Sequence, residues 1–111
     1  MSPLQYIISV RITNAKDYLA NTSLSIADIS NNVGYTDAMY FSRLFKKYTG
    51  ISPVSYLTDC RLEDAKKMLV ETNKSVEDIM YECGFSNRTA FHKKFNKRFG
   101  CTPLQYRKNQ K

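Results

Sequence analysis

The sequence predicts an all-α chain built from two copies of one helical unit, and three observations carry that prediction. The first is a repeat: residues 2–51 and 52–101 correspond at an offset of 50. Ser2-Pro3 returns as Ser52-Pro53 and, altered, as Thr102-Pro103. Fourteen further positions are identical in register, among them Tyr6/Tyr56, Arg11/Arg61, Ala15/Ala65, Leu19/Leu69, Asp28/Asp78, Gly34/Gly84, Phe41/Phe91, Phe45/Phe95 and Gly50/Gly100. The second is apolar spacing of helical period, with no strand-period stretch of convincing length. The third is that helix start and stop signals fall at matching places in both halves. A 50-residue unit buries little surface by itself, so the halves are expected to share a long element.

Taken in order, Pro3 after Ser2 opens a first helix on which Leu4, Ile8, Ile12, Ala15 and Leu19 mark one face, with Ile7 and Tyr18 alongside. It is expected to stop near Asn21-Thr22. Ser25-Ile26-Ala27-Asp28 has the form of a capping box with Asp in place of Glu. The short helix that follows turns Ile26, Ile29 and Val33 inward, and Gly34 ends it where a sharp turn needs positive φ. Thr36 or Asp37 caps a third helix with Phe41, Leu44, Phe45 and Tyr48 as its buried positions, and Gly50 closes it.

The second half repeats the pattern. Pro53 opens a long helix to about Thr72, with Val54, Leu57, Leu62, Ala65, Met68 and Leu69 on its apolar side. Ser75 caps a short helix that turns Val76, Ile79, Met80 and Cys83 inward, and Gly84 breaks it. Ser86 is expected to cap the last major helix, with Phe91, Phe95 and Phe99 inward, and Pro103 to Lys108 form a final short one. The count is about seven helices. The expected organisation is a first unit at 1–51, a linker helix at 52–72 and a second unit at 73–111.

Charge is distributed unevenly. The chain of 111 residues has a formal net charge of +7. After Glu82 no acidic residue occurs, while Arg88, Lys93, Lys94, Lys97, Arg98, Arg107, Lys108 and Lys111 follow. Cations gathered on one helix and the adjoining terminus favour a polyanionic partner over a merely solvated end. Cys60, Cys83 and Cys101 are an odd number without a C-x-x-C pair, beside a single histidine, so neither a disulfide framework nor a zinc site is expected. Buried thiols and a reducing cytoplasm fit better. No leader or apolar span suggests export or a membrane.

A short helix, a glycine-centred turn and a second helix with an aromatic inner face make a helix-turn-helix, whose second helix enters the DNA major groove. One copy is a weak signal, since any two short packed helices mimic it. Two copies with the same spacing from Gly34 to Phe41 and from Gly84 to Phe91 are a much stronger one.

These residues resemble the DNA-binding domain of AraC/XylS-type transcription regulators. The resemblance is carried by Gly34-Tyr35-Thr36-Asp37-Ala38-Met39-Tyr40-Phe41-Ser42-Arg43-Leu44-Phe45-Lys46-Lys47, by Thr49-Gly50-Ile51-Ser52-Pro53, by Arg61-Leu62-Glu63-Asp64-Ala65-Lys66, and by Gly100-Cys101-Thr102-Pro103-Leu104-Gln105-Tyr106-Arg107. It covers nearly the whole chain. It implies two homeodomain-like helix-turn-helix subdomains joined by a long linker helix, with recognition helices at about 37–49 and 87–99 in adjacent major grooves. It also implies double-stranded DNA and RNA polymerase as partners, no cofactor, and an effector or dimerisation domain on a missing N-terminal part. By position it places base contacts on Met39, Ser42 and Arg43 in the first unit and on Arg88, Thr89, His92 and Lys93 in the second. Ser30 and Met80 depart from the small alanine usual near the family's turn, and the bulk of Met80 bears on the packing angle of the second unit.

Residue chemistry agrees with that assignment. Arg43 suits a bidentate grip on guanine O6/N7, Ser42 a base or phosphate, and Met39 a thymine methyl. Lys46, Lys47, Lys94, Lys97 and Arg98 suit phosphate, which positions without reading sequence. Arg11 and Arg61 stand on otherwise apolar helices, and each is expected to pair with a carboxylate of its own half, Arg11 with Asp28 and Arg61 with Asp78. A linker helix of ~19 residues spans roughly 28 Å at ~1.5 Å per residue, against about 34 Å for one turn of DNA. Head-to-tail units then read a directional, non-palindromic site.

The competing reading is a helical adaptor for protein–protein interaction, which two repeats serve poorly because solenoids need about three or more. RNA binding is weaker still, since few aromatics remain exposed for stacking. An enzyme is the least supported class, with one histidine and no glycine-rich phosphate loop.

Overall fold

A computed structural model describes residues 2–110. These residues form seven helices and no strand: α1 (Pro3–Asn21), α2 (Ile26–Asn32), α3 (Ala38–Thr49), α4 (Pro53–Glu71), α5 (Val76–Glu82), α6 (Arg88–Phe99) and α7 (Pro103–Asn109). The chain divides into two compact units, residues 1–60 and 61–111.

In the first unit, Ile12, Ala15 and Leu19 of α1 meet Ile29 of α2 and Phe41 and Phe45 of α3, with Val33 and Tyr35 from the turn. Ala15, Ile29, Phe41 and Phe45 are fully buried. The small Ala15 lets helix backbones approach, so the two phenylalanines lie directly against the floor of α1 and α2. Tyr56, in the second turn of α4, closes this core with its ring edge-on to Phe45 at 5.7 Å. The second unit repeats the arrangement with Leu62, Ala65, Leu69, Ile79, Met80, Cys83, Phe91 and Phe95. Here Tyr106 of α7 takes the place of Tyr56, edge-on to Phe95 at 5.9 Å.

Met80 is 1% exposed and belongs to the core, as does Ser30 at the same degree of burial. The Ser30 hydroxyl donates to the Tyr35 carbonyl at 2.8 Å, so the buried polar group is satisfied. The flexible thioether of Met80 fills the same position by bulk.

Several expectations change. Leu4, Ile7 and Val54 are 67%, 46% and 61% exposed, so the first turns of α1 and α4 carry apolar residues beyond the edge of the core. Tyr48 is 42% exposed rather than buried, because α3 ends one residue later at Thr49. Asn87, not Ser86, caps α6, its side chain accepting from Ala90 N–H at 3.0 Å. At α2 only half of the capping box forms: Ser25 Oγ accepts from Asp28 N–H at 3.1 Å. Of the cysteines, Cys83 is buried, whereas Cys60 and Cys101 are half-buried.

The arginine pairing also fails. Among the described residues no ion pair joins Arg11 to Asp28 or Arg61 to Asp78. Arg11 instead lies over the Tyr35 ring, 5.0 Å from its centroid. A guanidinium is weakly hydrated on its flat faces, so a ring accommodates one face while the N–H edge stays wet. Both arginines also abut a turn glycine. A Cβ on Gly34 would stand 3.0 Å from the Arg11 Cζ, and one on Gly84 would stand 3.0 Å from the Arg61 Cζ.

That contact separates two kinds of glycine. Gly84 (φ +88°) has both left-handed backbone and the guanidinium above it, whereas Gly100 (φ +80°) has nothing within 4 Å. Gly84→Ala is expected to lower stability by about 1–3 kcal/mol and by more than Gly100→Ala, measured by urea unfolding. Equal losses would show that Arg61 yields without cost. Burial also pushes the Cys83 thiol up to about 11, with Asp64 and Glu82 adding to the effect. The folded thiol therefore stays neutral where the unfolded one ionises. The stability it contributes is present below about pH 8.5 and is lost as pH rises toward 11. Melts across that range should show a fall that Cys83→Ala lacks.

Candidate nucleic-acid interface

With Phe41 and Phe45 turned inward, α3 presents a particular outer face. Asp37 caps the helix, its carboxylate accepting from Met39 and Tyr40 N–H at 3.0 and 3.2 Å. Met39 stands at 69% exposure on the first turn. Arg43, Lys46 and Lys47 are exposed about one to two turns on, and Ser42 is half-buried beside them. Apart from the capping residue, the helix carries no acid.

On α6, Phe91 and Phe95 play the inner role and Arg88, Thr89, Lys93, Lys94 and Lys97 are exposed. His92 is half-buried, with its ring edge-on to Phe91 at 5.8 Å. Arg98 is engaged otherwise: it donates to Glu63 at 3.0 Å and lies 5.6 Å from the centre of the Phe99 ring. Its bond to Glu63 holds that carboxyl below the usual range, together with Lys66. Of the five residues expected on phosphate, Lys46, Lys47, Lys94 and Lys97 project from their helices without a carboxylate partner among the described residues. Arg98 is the exception.

Two residues escaped the sequence reading. Tyr40 is 50% exposed beside Met39, its ring edge-on to Tyr35 at 5.9 Å, and it widens the outer face of α3. The signal was its place within the first turn, outside the inward spacing set by Phe41. Arg107, counted among the basic residues of the C-terminal end, donates instead to the carbonyls of Leu69 and Thr72 at 3.1 and 3.3 Å. It supplies the cation that the last turn of α4 lacks. Among the described residues, no helix is long and apolar enough to cross a membrane.

Comparison with known proteins bears directly on this arrangement. The family described as "Helix-turn-helix domain" matches twice, over residues 1–57 and 38–109. The Msm operon regulatory protein of Streptococcus mutans is 46% identical over 52 residues, 47% of this chain and 19% of that protein. The chain therefore spans less than a fifth of that relative's length. An AraC-type transcriptional regulator from Chromobacterium violaceum, known as a crystal structure, is 30% identical with a TM-score of 0.76, covering 96% of this chain and 94% of that one. The DNA-binding domain of the global transcriptional factor AdpA, solved in complex with a target DNA, shares the fold with a TM-score of 0.72 at 22% identity, covering 92% of this chain and 90% of that one. With a duplicated helix-turn-helix core and cationic outer faces matched along nearly its full length, the chain belongs to the AraC/XylS-type family of transcription-regulator DNA-binding domains.

Proposed function

We propose that the chain binds one DNA duplex through both units, laying α3 and α6 into adjacent major grooves of a non-palindromic site. The observation that carries this reading is the division of labour on those two helices. Each gives its inner face to a pair of buried phenylalanines and its outer face to exposed cations with no acid beyond the cap. A surface of one sign on a helix held rigidly from behind suits a polyanion with a groove about as wide as a helix. The head-to-tail repeat supports a directional site, and the 19 residues of α4 suit a spacing near one turn of DNA.

Within this reading, Arg43 and Arg88 grip guanine, while Ser42, Thr89, His92 and Lys93 hydrogen-bond to base edges or nearby phosphate. Met39 contacts a thymine methyl. Lys46, Lys47, Lys94 and Lys97 meet phosphate, and Arg98 joins them on exchanging Glu63 for a phosphate oxygen. RNA polymerase is the further partner a transcription regulator engages, and the cytoplasm is its place of work.

The two units are unlike electrostatically. The N-terminus of α3 is capped by the anionic Asp37, that of α6 by the neutral Asn87. A helix N-terminus favours anions, and a carboxylate already placed there cancels the attraction. The second unit should therefore supply more of the affinity and the first more of the discrimination.

Binding measured by anisotropy should give log K falling linearly with log salt, and a site selected from a random DNA pool should beat random sequence by about 10³ or more. A salt-insensitive affinity with a protein partner retained would point to the adaptor instead. Arg43→Ala should cost about 1–3 kcal/mol and relax preference at one base position. Lys97→Ala should weaken all sequences alike and reduce the salt slope by about 1. If Arg43→Ala lowers affinity for every sequence equally, Arg43 is a phosphate contact.

A further inference from the structure

The chain carries one short motif three times, and two of the three copies have a visible job. Ser2-Pro3-Leu4-Gln5-Tyr6, Ser52-Pro53-Val54-Ser55-Tyr56 and Thr102-Pro103-Leu104-Gln105-Tyr106 each open a helix behind a hydroxyl cap. Tyr56 and Leu57 pack on the core of the first unit, against Phe45. Tyr106 packs on the core of the second, against Phe95 and Phe99. In both cases the motif plugs the aromatic inner side of a recognition helix. Among the described residues the first copy joins neither core. Tyr6 is 62% exposed, and Leu4, Ile7 and Val10 beside it are 67%, 46% and 40% exposed.

These four residues are not scattered. At about 100° per residue they occupy a continuous arc of roughly 160° on α1, adjoining the buried face formed by Ile12, Ala15 and Leu19. Single exposed apolar residues are ordinary, but a contiguous set marks an interaction surface. We propose that this arc is a self-association surface at which a second copy of this chain docks, α1 against α1, about a two-fold axis.

Two arguments select a second copy. The first is charge. From Ser2 to Val10 the sequence contains no ionisable group except the Tyr6 phenol, in a chain whose formal net charge is +7. In a two-fold contact residue i meets residue j and j meets i, so a patch bearing charge of one sign would oppose itself. The uncharged opening of α1 is the region where self-pairing meets least repulsion. The second is area. With large side chains offering roughly 200 Å² each when fully exposed, four about half exposed give roughly 400 Å² per copy and about 800 Å² per pair. That falls short of the ~1,200–2,000 Å² of tight complexes and matches a weak, reversible dimer.

The test is sedimentation equilibrium on the 111-residue chain from about 10 µM to about 1 mM, the range in which a weak dimer populates both states. The apparent mass should rise from 12.8 kDa toward twice that value and fall back on dilution. Tyr6→Glu combined with Ile7→Glu should weaken the dimer at least about tenfold while helical circular dichroism is kept. Leu4→Lys alone, at the most exposed position, serves if the double variant unfolds. A monomer at every concentration overturns the proposal and assigns the arc to a different polypeptide. A dimer undiminished in a folded variant also overturns it, by placing self-association on another face.

Discussion

The contact between an aromatic pair on each recognition helix and an alanine-floored bed of aliphatic side chains governs what each unit can do. Phe41 and Phe45 in one unit, and Phe91 and Phe95 in the other, are fully buried against Ala15 or Ala65, Ile29 or Ile79, and Leu19 or Leu69. A helix of 12 residues has little stability by itself, so its existence and its rotation about its own axis both come from that contact. Rotation is the functional quantity. Turning α3 by one residue moves each outer side chain by about 100°, and Met39 and Arg43, four residues apart on one face, would leave the outer side together. Packing from behind thus fixes which chemistry is offered in front.

The two units tolerate differences where the contact allows them. Ser30 and Met80 occupy equivalent buried positions, one satisfied by a hydrogen bond to Tyr35 and the other by volume. Tyr35 and Phe85 are likewise equivalent, and the Tyr35 hydroxyl, buried without a hydrogen-bond partner, shows that the ring is what the position requires. The turn between the helices is held the same way in both. Tyr35 N–H donates to the Ser30 carbonyl at 2.9 Å and Phe85 N–H to the Met80 carbonyl at 3.0 Å. Backbone geometry is therefore shared while side-chain chemistry diverges.

Helix number, the glycine turns and the inner phenylalanines were legible in the sequence because each is written twice at the same spacing. What was misread depended on where the core ends, which periodicity does not encode. Tyr48 fits the inward spacing of α3, but its counterpart in the second unit is Arg98, a residue that no core would take. Leu4 and Val54 fit the apolar spacing of their helices, yet both are more than half exposed. The capping residue of α6 was recoverable from its partner, since Asn87 matches Asp37 and Ser86 matches Thr36. The arginines were misjudged for a different reason. Charge alone does not describe a guanidinium, whose flat faces a tyrosine ring and a bare glycine accommodate without a carboxylate.

Arg98 and Arg107 show why cation counts overstate what a basic segment offers to DNA. Both follow the last acidic residue in the sequence, and both are committed internally, Arg98 to Glu63 and Arg107 to the end of α4. The commitments differ in strength. Arg98 and Glu63 are both exposed, so their pairing is screened and weak. Arg107 is half-buried and donates to two backbone carbonyls at the end of a helix whose last turn has no basic residue of its own. Removing it would leave helix-end acceptors poorly compensated and would loosen α7, whose Tyr106 backs Phe95 and Phe99. The same residue type is therefore held in two ways, by a screened pair on the surface and by the carbonyls at a helix end.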